Sequence, residues 1–436
     1  MSTSNTALSR RAFAGLAGGS LASLALAACS SGGGSGSSGG TIQFWNMPWG
    51  GTAFNPLDQR ITLAYKPKSG LPAVKYQAIA WSNFVAKFST SVASHTNPAV
   101  SSGGGTQAFQ FAKQGAIAYA DDLLSSWKSN GLYDDFLPGT LEAMKTEQGT
   151  VAIPYNIDMR IHWYSKSLLQ KAGVQPPTDW QSFESACAAL KKIGVYGLGL
   201  SGGSGGNAFQ GIVGWMINNG GGIFDQSHKP NLVTPENIET LTFLQGLIRN
   251  GYADPRSTGY TTQNTQDQWK AGKFGMQVEG PGLASNLGGR WATDVVVGEP
   301  LTSASGKKGA LFFPNNIMLY KNSSSLKGAE AFLTYYYKAM KPLWTKHTGI
   351  GLPVLKSIAA TPEFKQDPNA VKCVEAWQPI CRTWAAPGGQ ALFANVSLVD
   401  STTPMTVFGQ DVMSLKETPK GALTKLQNTL MQNLKG

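Results

Sequence analysis

Residues 41–46 read Thr-Ile-Gln-Phe-Trp-Asn, and this stretch marks where the folded part of the chain begins. Apolar and polar side chains alternate along it, which is the pattern of a β-strand with one buried face. Towards the C-terminus, helical and strand-like segments alternate, as they do in α/β proteins. With 436 residues the chain is too long for one ordinary domain. The sequence therefore predicts an α/β protein of two or more domains.

Several segments have the apolar spacing of amphipathic helices. The predicted helices cover about 180–193, 235–249, 327–340 and the leucines between 423 and 434. Thr178 with Gln181 can form a capping box at the start of the first. Asn250 and Gly251 are a suitable end for the second.

The residues before this strand predict an export signal and not a part of the fold. Ser9-Arg10-Arg11-Ala12-Phe13 resembles a twin-arginine signal, and an apolar stretch without acidic residues follows from Ala14 to Ala28. Leu26-Ala27-Ala28-Cys29 resembles a bacterial lipobox, in which the cysteine becomes the lipidated N-terminus. A plain secretory signal with an incidental cysteine is the alternative.

The sequence thus predicts a signal peptide over 1–28 and acyl chains such as palmitate on Cys29. The Ser/Gly segment that ends at Gly40 cannot bury apolar surface, so we expect 29–40 to be a lipidated flexible tether. Such an anchor holds a protein on the extracellular face of the cytoplasmic membrane.

The remaining cysteines and the histidines give no sign of a metal site. Cys373 and Cys381 are close in sequence and can form a disulfide in an oxidising compartment, although two buried thiols fit equally. Cys187 lies on the apolar face of a predicted helix. The four histidines are dispersed without metal-ligand spacing, so no metal and no cofactor are expected.

The formal charge of +11 falls to +9 if Arg10 and Arg11 are removed with the signal. Lysine and arginine are scattered along the chain without a dense basic run. We therefore expect no nucleic-acid partner.

A glycine-rich stretch at 197–203 matches two catalytic or cofactor motifs by spacing alone. It contains a G-x-G-x-x-G and, at Gly199-Leu200-Ser201-Gly202-Gly203, a G-x-S-x-G. A dinucleotide site needs a strand before the motif and a helix after it, and a hydrolase needs a supported acid and histidine. Neither context is present, so we predict a loop.

The order of segments resembles the family 1 extracellular solute-binding proteins, the maltose-binding-protein-like sugar receptors of ABC importers. The segments that carry the resemblance are Thr41–Asn46, Pro98–Val100, Gly115–Ile117 with Asp121–Leu123, Ile153–Asp158, Tyr164–Lys166, Lys171–Gly173, Pro177–Lys191, Gly272–Met276 and Gly349–Val354. Ala99 stands where the family usually has Asp, and Ser165 where it usually has Asn. These departures concern a local loop contact and a helix cap.

The resemblance implies a two-lobed periplasmic-binding-protein-like fold of type II with a hinged interlobe cleft. Lobe 1 would hold 41–153 and 296–345, and lobe 2 would hold 154–295 and 346–436. The protein would capture a mono- or oligosaccharide by lobe closure and deliver it, as a monomer and not as an enzyme, to the transmembrane subunits of an ABC permease.

Aromatic faces suit the apolar C–H faces of a sugar, and paired polar side chains suit its hydroxyls. The predicted ligand contacts are Trp45, Asn46, Trp49, Trp81, Asn156, Asp158, Arg160, Trp215, Glu279, Gly280, Trp344, Arg382 and Trp384. Asn156, Asp158 and Arg160 alternate along an extended segment, which places them on one side. Core packing for the tryptophans and an interlobe ion pair for Asp158, Arg160 and Glu279 are the alternatives.

Three other functions are also compatible with the sequence. One is a receptor for a non-sugar solute such as a polyol, a peptide or an organic acid. Another is a lipid-anchored carbohydrate-active enzyme, which would need two carboxylates across a cleft. The last is a structural envelope lipoprotein without a ligand.

Overall fold

The computed structural model describes residues 40–80, 84–203, 205–399 and 402–434. The predictions for the signal peptide, the lipidated Cys29, the tether up to Gly39 and the ligand contact Trp81 lie outside these residues. The strands are β1 (Thr41–Asn46), β2 (Ala73–Ala78), β3 (Val100–Gly103), β4 (Ile117–Ala118), β5 (Lys145–Thr146), β6 (Gly149–Thr150), β7 (Ile153–Met159), β8 (Ile161–Ser165), β9 (Met276–Glu279), β10 (Val295–Val297), β11 (Ala310–Tyr320), β12 (Leu352–Pro353) and β13 (Cys381–Arg382).

Helices connect and cover these strands. They are α1 (Phe54–Leu63), α2 (Phe84–Ala93), α3 (Gln107–Lys113), α4 (Asp121–Lys128), α5 (Lys166–Ala172), α6 (Trp180–Lys192), α7 (Ala208–Asn218), α8 (Pro235–Arg249), α9 (Thr262–Lys270), α10 (Leu283–Leu287), α11 (Trp291–Asp294), α12 (Leu326–Ala339), α13 (Pro342–Thr345), α14 (Lys356–Ala359), α15 (Pro362–Lys365), α16 (Pro368–Lys372), α17 (Thr403–Met413) and α18 (Pro419–Asn433). In the part of the chain that the structure describes, no helix is long and apolar enough to cross a membrane.

The larger sheet has the strand order β12-β7-β11-β3-β1-β2, and β4 and β13 also pair with β11. β1 runs parallel to β2 and β3, so that Phe44 lies opposite both Tyr76 and Val100. Parallel pairing of β1 with β2 needs a crossover connection, which α1 supplies. β11 runs antiparallel to β3 and β7, which makes the sheet mixed.

A smaller antiparallel sheet has the order β10-β8-β9. Met159 ends β7 and Ile161 begins β8, so Arg160 lies at the step from the larger sheet to the smaller one. The chain returns to the larger sheet between β10 and β11. The lobe boundaries predicted before residues 154 and 296 fall at the start of β7 and within β10.

A β-bulge interrupts the pairing of β7 with β11. The register shifts between Asn315 and Asn316, so that Asn316 pairs with Pro154 and Asn315 with Asn156, leaving Tyr155 as the extra residue. Proline lacks the N–H that a central strand normally uses, and bulges are one of the places where a sheet accepts it. Bulges also redirect side chains beside functional sites.

The four predicted helices are confirmed as α6, α8, α12 and α18, each within a few residues of the predicted ends. The predicted capping box of α6 is wrong. Asp179 is the N-cap, and its side chain accepts from the backbone of Ser182 while the Ser182 hydroxyl contacts the Asp179 backbone. The N-cap must stand directly before the first helical residue, which is Trp180.

The stretch that matched two site motifs is a loop, as predicted. Tyr196, Leu198 and Gly199 form isolated bridges to Phe274, Ala253 and Gln277, and no strand or helix spans this segment. The dinucleotide interpretation therefore lacks its structural context.

Cys373 and Cys381 are free buried thiols, so the disulfide alternative is not realised. Cys373 begins a turn of π-helix and Cys381 begins β13, and both side chains pack into the apolar core. Burial raises the pKa of both thiols, which keeps them protonated. Cys187 is a buried residue of α6, as its spacing indicates.

Candidate functional site

A cavity of about 380 Å³ lies where the step from β7 to β8, the end of β9 and the middle of β11 meet. Such a volume is in the range of small-molecule sites, about 300–1,000 Å³. The cavity is lined by Pro48, Trp49, Phe84, Gly104, Asn156, Asp158, Arg160, Gln210, Glu279, Gly280, Pro281, Gly282, Asn286, Phe313, Asn315, Gly349 and Gly351.

Arg160 is the charged centre of the cavity, although only 9% of its side chain is exposed. Its Nη1 donates to Asp158 Oδ2 at 2.8 Å, and its Nε and Nη2 both donate to Gln210 Oε1 at 2.8 and 2.5 Å. The guanidinium also lies over the ring of Phe313, 4.8 Å from its centroid. These contacts fix the arginine before any ligand arrives, which lowers the entropy that binding costs.

The β7–β11 bulge places a pair of asparagines in the wall. Asn315 Nδ2 donates to Asn156 Oδ1 at 3.0 Å. The Nδ2 of Asn156 is buried and has no hydrogen-bond partner among the described residues. Buried polar groups are normally paired, so this unpaired donor in the cavity wall makes Asn156 a candidate ligand contact.

Glu279 ends β9 with its carboxylate held by three donors. Asn207 Nδ2 and the Gly280 N–H donate to Oε1 at 2.6 and 2.9 Å, and Gln277 Nε2 donates to Oε2 at 3.0 Å. Burial raises the pKa of Glu279, while the charge of Arg160 opposes this shift. The side chain is an oriented acceptor at the cavity edge.

Aromatic rings form the apolar part of the wall. Trp49, Phe84 and Phe313 contribute ring surface from the β1–α1 loop, the start of α2 and β11. Trp49 is fixed by two hydrogen bonds of its Nε1, to Asn46 Oδ1 at 3.1 Å and to Ser102 Oγ at 3.0 Å. A cavity with flat apolar walls and a few fixed polar groups suits a ligand with apolar faces and polar edges.

Close backbone contacts bring the loops of the cavity together. The Gly51 N–H donates to the Thr348 carbonyl at 2.8 Å, and a Cβ on Gly50 would lie 2.4 Å from the same oxygen. A Cβ on Gly351 would lie 2.6 Å from the Ile157 carbonyl oxygen. Only glycine allows the Trp49 loop and the segment before β12 to approach this closely.

Six of the predicted ligand contacts line the cavity together. These are Trp49, Asn156, Asp158, Arg160, Glu279 and Gly280. The alternation of Asn156, Asp158 and Arg160 brings all three to one side, as the extended spacing predicts. Their contact with a ligand stays a prediction.

Two predicted residues lie next to the cavity without lining it. Asn46 is fully buried behind Trp49. Trp344 borders an adjoining recess of about 110 Å³, which shares Gly349 and Gly351 with the cavity, and its Nε1 donates to the Gly351 carbonyl at 2.7 Å.

Four predicted contacts are placed elsewhere. Trp45 packs edge-on against Phe88, on the opposite side of β1 from Phe44. Trp215 lies in α7, whose residues are all buried, and packs against His162. The other two lie in or near β13. Trp384 is buried and packs against the cavity residue Phe313 from behind. Arg382 is exposed, and its Nη1 donates to the Cys381 carbonyl.

Five further residues of the cavity wall are not among the contacts predicted from the sequence, namely Phe84, Gln210, Asn286, Phe313 and Asn315. A usable signal existed for two of them. Gln210 and Asn315 are polar residues inside otherwise apolar elements, the helix Ala-Phe-Gln-Gly-Ile-Val and the strand Phe-Phe-Pro-Asn-Asn-Ile. A polar residue in a buried element needs a partner or a function.

The described residues contain no group of histidines, cysteines and carboxylates that could hold a metal ion. Ser201 of the G-x-S-x-G match donates its hydroxyl to Asn207 Oδ1 at 2.7 Å. It therefore lacks the histidine contact that activates a serine nucleophile.

Comparison with known proteins gives relatives along most of the chain. A binding protein of Brucella abortus is 24% identical over 314 residues, which cover 70% of this chain and 74% of that protein. The structure of a sugar transporter from Arthrobacter chlorophenolicus with bound laminaribiose is 42% identical, covers 90% of this chain and 99% of that chain, and has a TM-score of 0.83.

The GacH receptor of Streptomyces glaucescens, described unliganded and in complex with acarbose, shares the fold at 22% identity. Its TM-score is 0.73 over 91% of this chain and 99% of that chain. The predicted α/β fold of two lobes, with a type II arrangement and a cleft, is confirmed by these matches. The family model of the bacterial extracellular solute-binding proteins matches residues 67–340. The cavity at the step between the sheets thus belongs to a protein of the bacterial extracellular solute-binding family.

Proposed function

We propose that this protein is the carbohydrate-binding subunit of an ABC importer and that its ligand occupies the cavity around Arg160. The observation that carries the proposal is the arrangement of Asp158, Arg160 and Gln210 beside the ring of Phe313. It offers fixed donors and acceptors next to an aromatic face. A pyranose has hydroxyl edges and C–H faces that match both.

The polar residues would act either as donors or as acceptors of hydrogen bonds to the sugar. Arg160 and the unpaired Nδ2 of Asn156 would donate to sugar oxygens, whereas Asp158 and Glu279 would accept from hydroxyls. Trp49, with its orientation fixed by two hydrogen bonds, would stack against a sugar face.

The ligand that we propose to test first is laminaribiose, because the 42% identical sugar transporter of Arthrobacter chlorophenolicus binds it in its structure. Isothermal titration calorimetry with laminaribiose should give saturable binding, and a ligand that binds the folded state should raise the melting temperature. Maltose is the matched control, since it is also a glucose disaccharide and differs only in linkage. Absence of binding by a panel of mono- and oligosaccharides would contradict the proposal.

We also infer that the protein binds its sugar without chemical turnover. The family consists of solute-binding proteins, and Ser201 has an asparagine partner where a nucleophile needs a base. Laminaribiose incubated with the protein should be recovered intact by chromatography. Release of glucose would support the carbohydrate-active enzyme instead.

Capture by lobe closure is the motion that we propose. Lobe 1 would comprise 41–153 with 296–345, and lobe 2 would comprise 154–295 with 346–436. The chain would cross between the lobes three times, at the step from β7 to β8, at the return from β10 to β11 and directly after α13. The closed form would then dock, as a monomer, on the transmembrane subunits of the permease.

Anchoring by Cys29 is the remaining part of the proposal, and it rests on the lipobox in the sequence. Cells grown with a labelled palmitate should incorporate label into the processed protein that begins at Cys29, and this protein should fractionate with the membrane. Cys29→Ser should abolish the label and release the protein. Equal labelling of this variant would contradict the lipid anchor.

A further inference from the structure

Asp58 is a fully buried carboxyl on α1, and it lies behind the wall of the cavity. Its Oδ2 accepts from Asn46 Nδ2 at 2.6 Å, and its Oδ1 accepts from the Tyr336 hydroxyl. Asn46 in turn accepts from the indole of Trp49, which lines the cavity. Asp58 is therefore two hydrogen bonds away from the ligand space.

The hydrogen bonds from Trp49 through Asn46 to Asp58 form a relay. When Asp58 is ionised, each donor and acceptor in this relay has a fixed direction. A carboxylate only accepts and an indole N–H only donates. The Asn46 amide must therefore turn its Nδ2 towards Asp58 and its Oδ1 towards Trp49. Tyr155 fits the same order, because its hydroxyl oxygen is 3.4 Å from Asn46 Nδ2 and its proton is free to reach the Tyr336 oxygen at 2.8 Å.

We propose that Asp58 is a positioning residue of the binding site, whose ionised carboxylate orients the Asn46 amide and thereby holds the indole of Trp49 in place. A protonated or neutral group at this position can donate as well as accept. The amide is then no longer fixed, and turning it would point its Nδ2 at the indole N–H. Ser102 Oγ remains as a second acceptor for the indole, so the loss of positioning is partial.

The surroundings of Asp58 make this state sensitive to pH. The titratable groups that face it are Tyr76 of β2, Tyr155 of β7 and Tyr336 of α12, and their hydroxyl pKa values are raised by burial. Among the described residues, Asp58 takes part in no ion pair. Burial without a cation raises the pKa of Asp58 to about 6, against the hydrogen bonds that lower it.

The first test needs no ligand. In the full-length protein, the indole N–H resonance of Trp49, assigned by its loss in Trp49→Phe, should shift with a midpoint near pH 6. Asp58→Asn should abolish this shift, whereas Glu279→Gln should keep it. A resonance that does not titrate in the unsubstituted protein, or one that still titrates in Asp58→Asn, would overturn the proposal.

The second test rests on the proposed function and uses laminaribiose as the probe. At pH 7.5, Asp58→Asn should bind it about three- to tenfold more weakly, the effect of losing one oriented contact. Combining Asp58→Asn with Trp49→Phe should add little to Trp49→Phe alone, because both act through the same ring. If the losses of affinity in the two single variants add fully in the double variant, Asp58 does not act through the Trp49 ring, and the proposal is contradicted.

The two tests separate the two proposals. If the unsubstituted protein does not bind laminaribiose while the indole titrates as expected, the ligand proposal fails and the positioning role of Asp58 stands. If Asp58→Asn does not give a cooperative melt, the comparison of the unsubstituted protein with Glu279→Gln decides the role, and loss of the shift in Glu279→Gln would overturn it.

Discussion

At the scale of single residues, the binding cavity depends on side chains whose polar atoms are satisfied before a ligand arrives. Arg160 is held by Asp158 and Gln210, and Glu279 by three donors. Asn156 departs from this pattern, because its buried Nδ2 has no partner among the described residues. Removal of the Asn156 side chain should therefore affect ligand affinity more than stability.

Asn156→Ala should weaken laminaribiose binding by about three- to tenfold, since it removes one donor to the ligand. It should lower the free energy of unfolding by only about 1 kcal/mol, because the lost Nδ2 has no partner among the described residues and the one bond removed is that of Asn315 Nδ2 to Asn156 Oδ1. Calorimetric titration and urea unfolding measure the two effects.

Asn237→Ala is the matched control, since Asn237 is another buried asparagine and lies outside the cavity lining. Its amide bonds to the backbone of Gly222 twice and of Leu232 once. Its replacement should lower the free energy of unfolding by about 2–4 kcal/mol and leave the affinity unchanged. The reverse pattern would show that Asn156 is structural.

The imidazole of His162 should make the protein sensitive to acid. Burial lowers the pKa of His162 to about 3, and its Nδ1 has no partner among the described residues. The unfolded chain takes up this proton near pH 6.5, before the folded chain does. When the pH is lowered from 6.5 to about 3, the free energy of unfolding should therefore decrease, by up to about 1.4 kcal/mol per pH unit.

Urea unfolding at several pH values tests this, and His162→Gln should flatten the profile. His228→Asn, at an exposed histidine, is the control. Asp58 acts with the opposite sign, because its raised pKa makes the folded state bind a proton between pH 3.8 and about 6. A profile in His162→Gln that is as steep as in the unsubstituted protein would contradict the prediction.

At the scale of elements, a bulge and close-packed glycines orient the polar side chains of the site, and caps define where the helices begin. The bulge in β7 opposite Asn315 and Asn316 brings Asn156 and Asn315 into one wall. Gly351 allows β12 to lie against Ile157. These features sit at the edge of the cavity, where regular pairing would leave the polar side chains pointing elsewhere.

Asp179→Ala should destabilise the protein by about 1 kcal/mol, the usual effect of losing an N-cap. The Asp179 side chain accepts from the Ser182 backbone at 2.7 Å, and this bond lowers its pKa. Thermal or urea unfolding measures the change.

Gln181→Ala is the control, because the sequence pattern pointed to this residue and the structure gives the cap to Ser182. We expect a change within about 0.5 kcal/mol. An equal loss of stability in both variants would contradict the specific contribution of the Asp179 cap.

At the scale of the whole molecule, the cavity is assembled from segments far apart in the chain, from Trp49 to Gly351. Ligand contacts that span such segments favour a closed form, because a ligand shifts the equilibrium towards the state that it contacts more fully. The three segments in which the chain would cross between the lobes are the places where this motion would be absorbed.

Small-angle X-ray scattering should therefore show a smaller radius of gyration when laminaribiose saturates the protein. Arg160→Met removes the charged centre and should bind too weakly to give this change at the same sugar concentration. An unchanged radius in the saturated, unsubstituted protein would argue against closure and in favour of a rigid site.

The α/β class, the main helices, the strand at 41–46 and the shared side of Asn156, Asp158 and Arg160 follow from the amino-acid pattern alone. These are consequences of local periodicity, since the side chains of a strand alternate and those of a helix recur every 3.6 residues. The loop at 197–203 was also predictable, because its glycines lacked flanking elements.

Which aromatic rings reach the cavity depends on how distant parts of the chain pack together. Trp45 and Trp215 were as reasonable in sequence as Trp49, but packing buries the first two in the core, whereas Phe313, which the sequence did not indicate, lines the cavity. The bulge between β7 and β11 and the buried contact of Asp58 with Asn46 also join residues remote in the chain. Local pattern specifies the face that a residue occupies, whereas long-range packing specifies what that face meets.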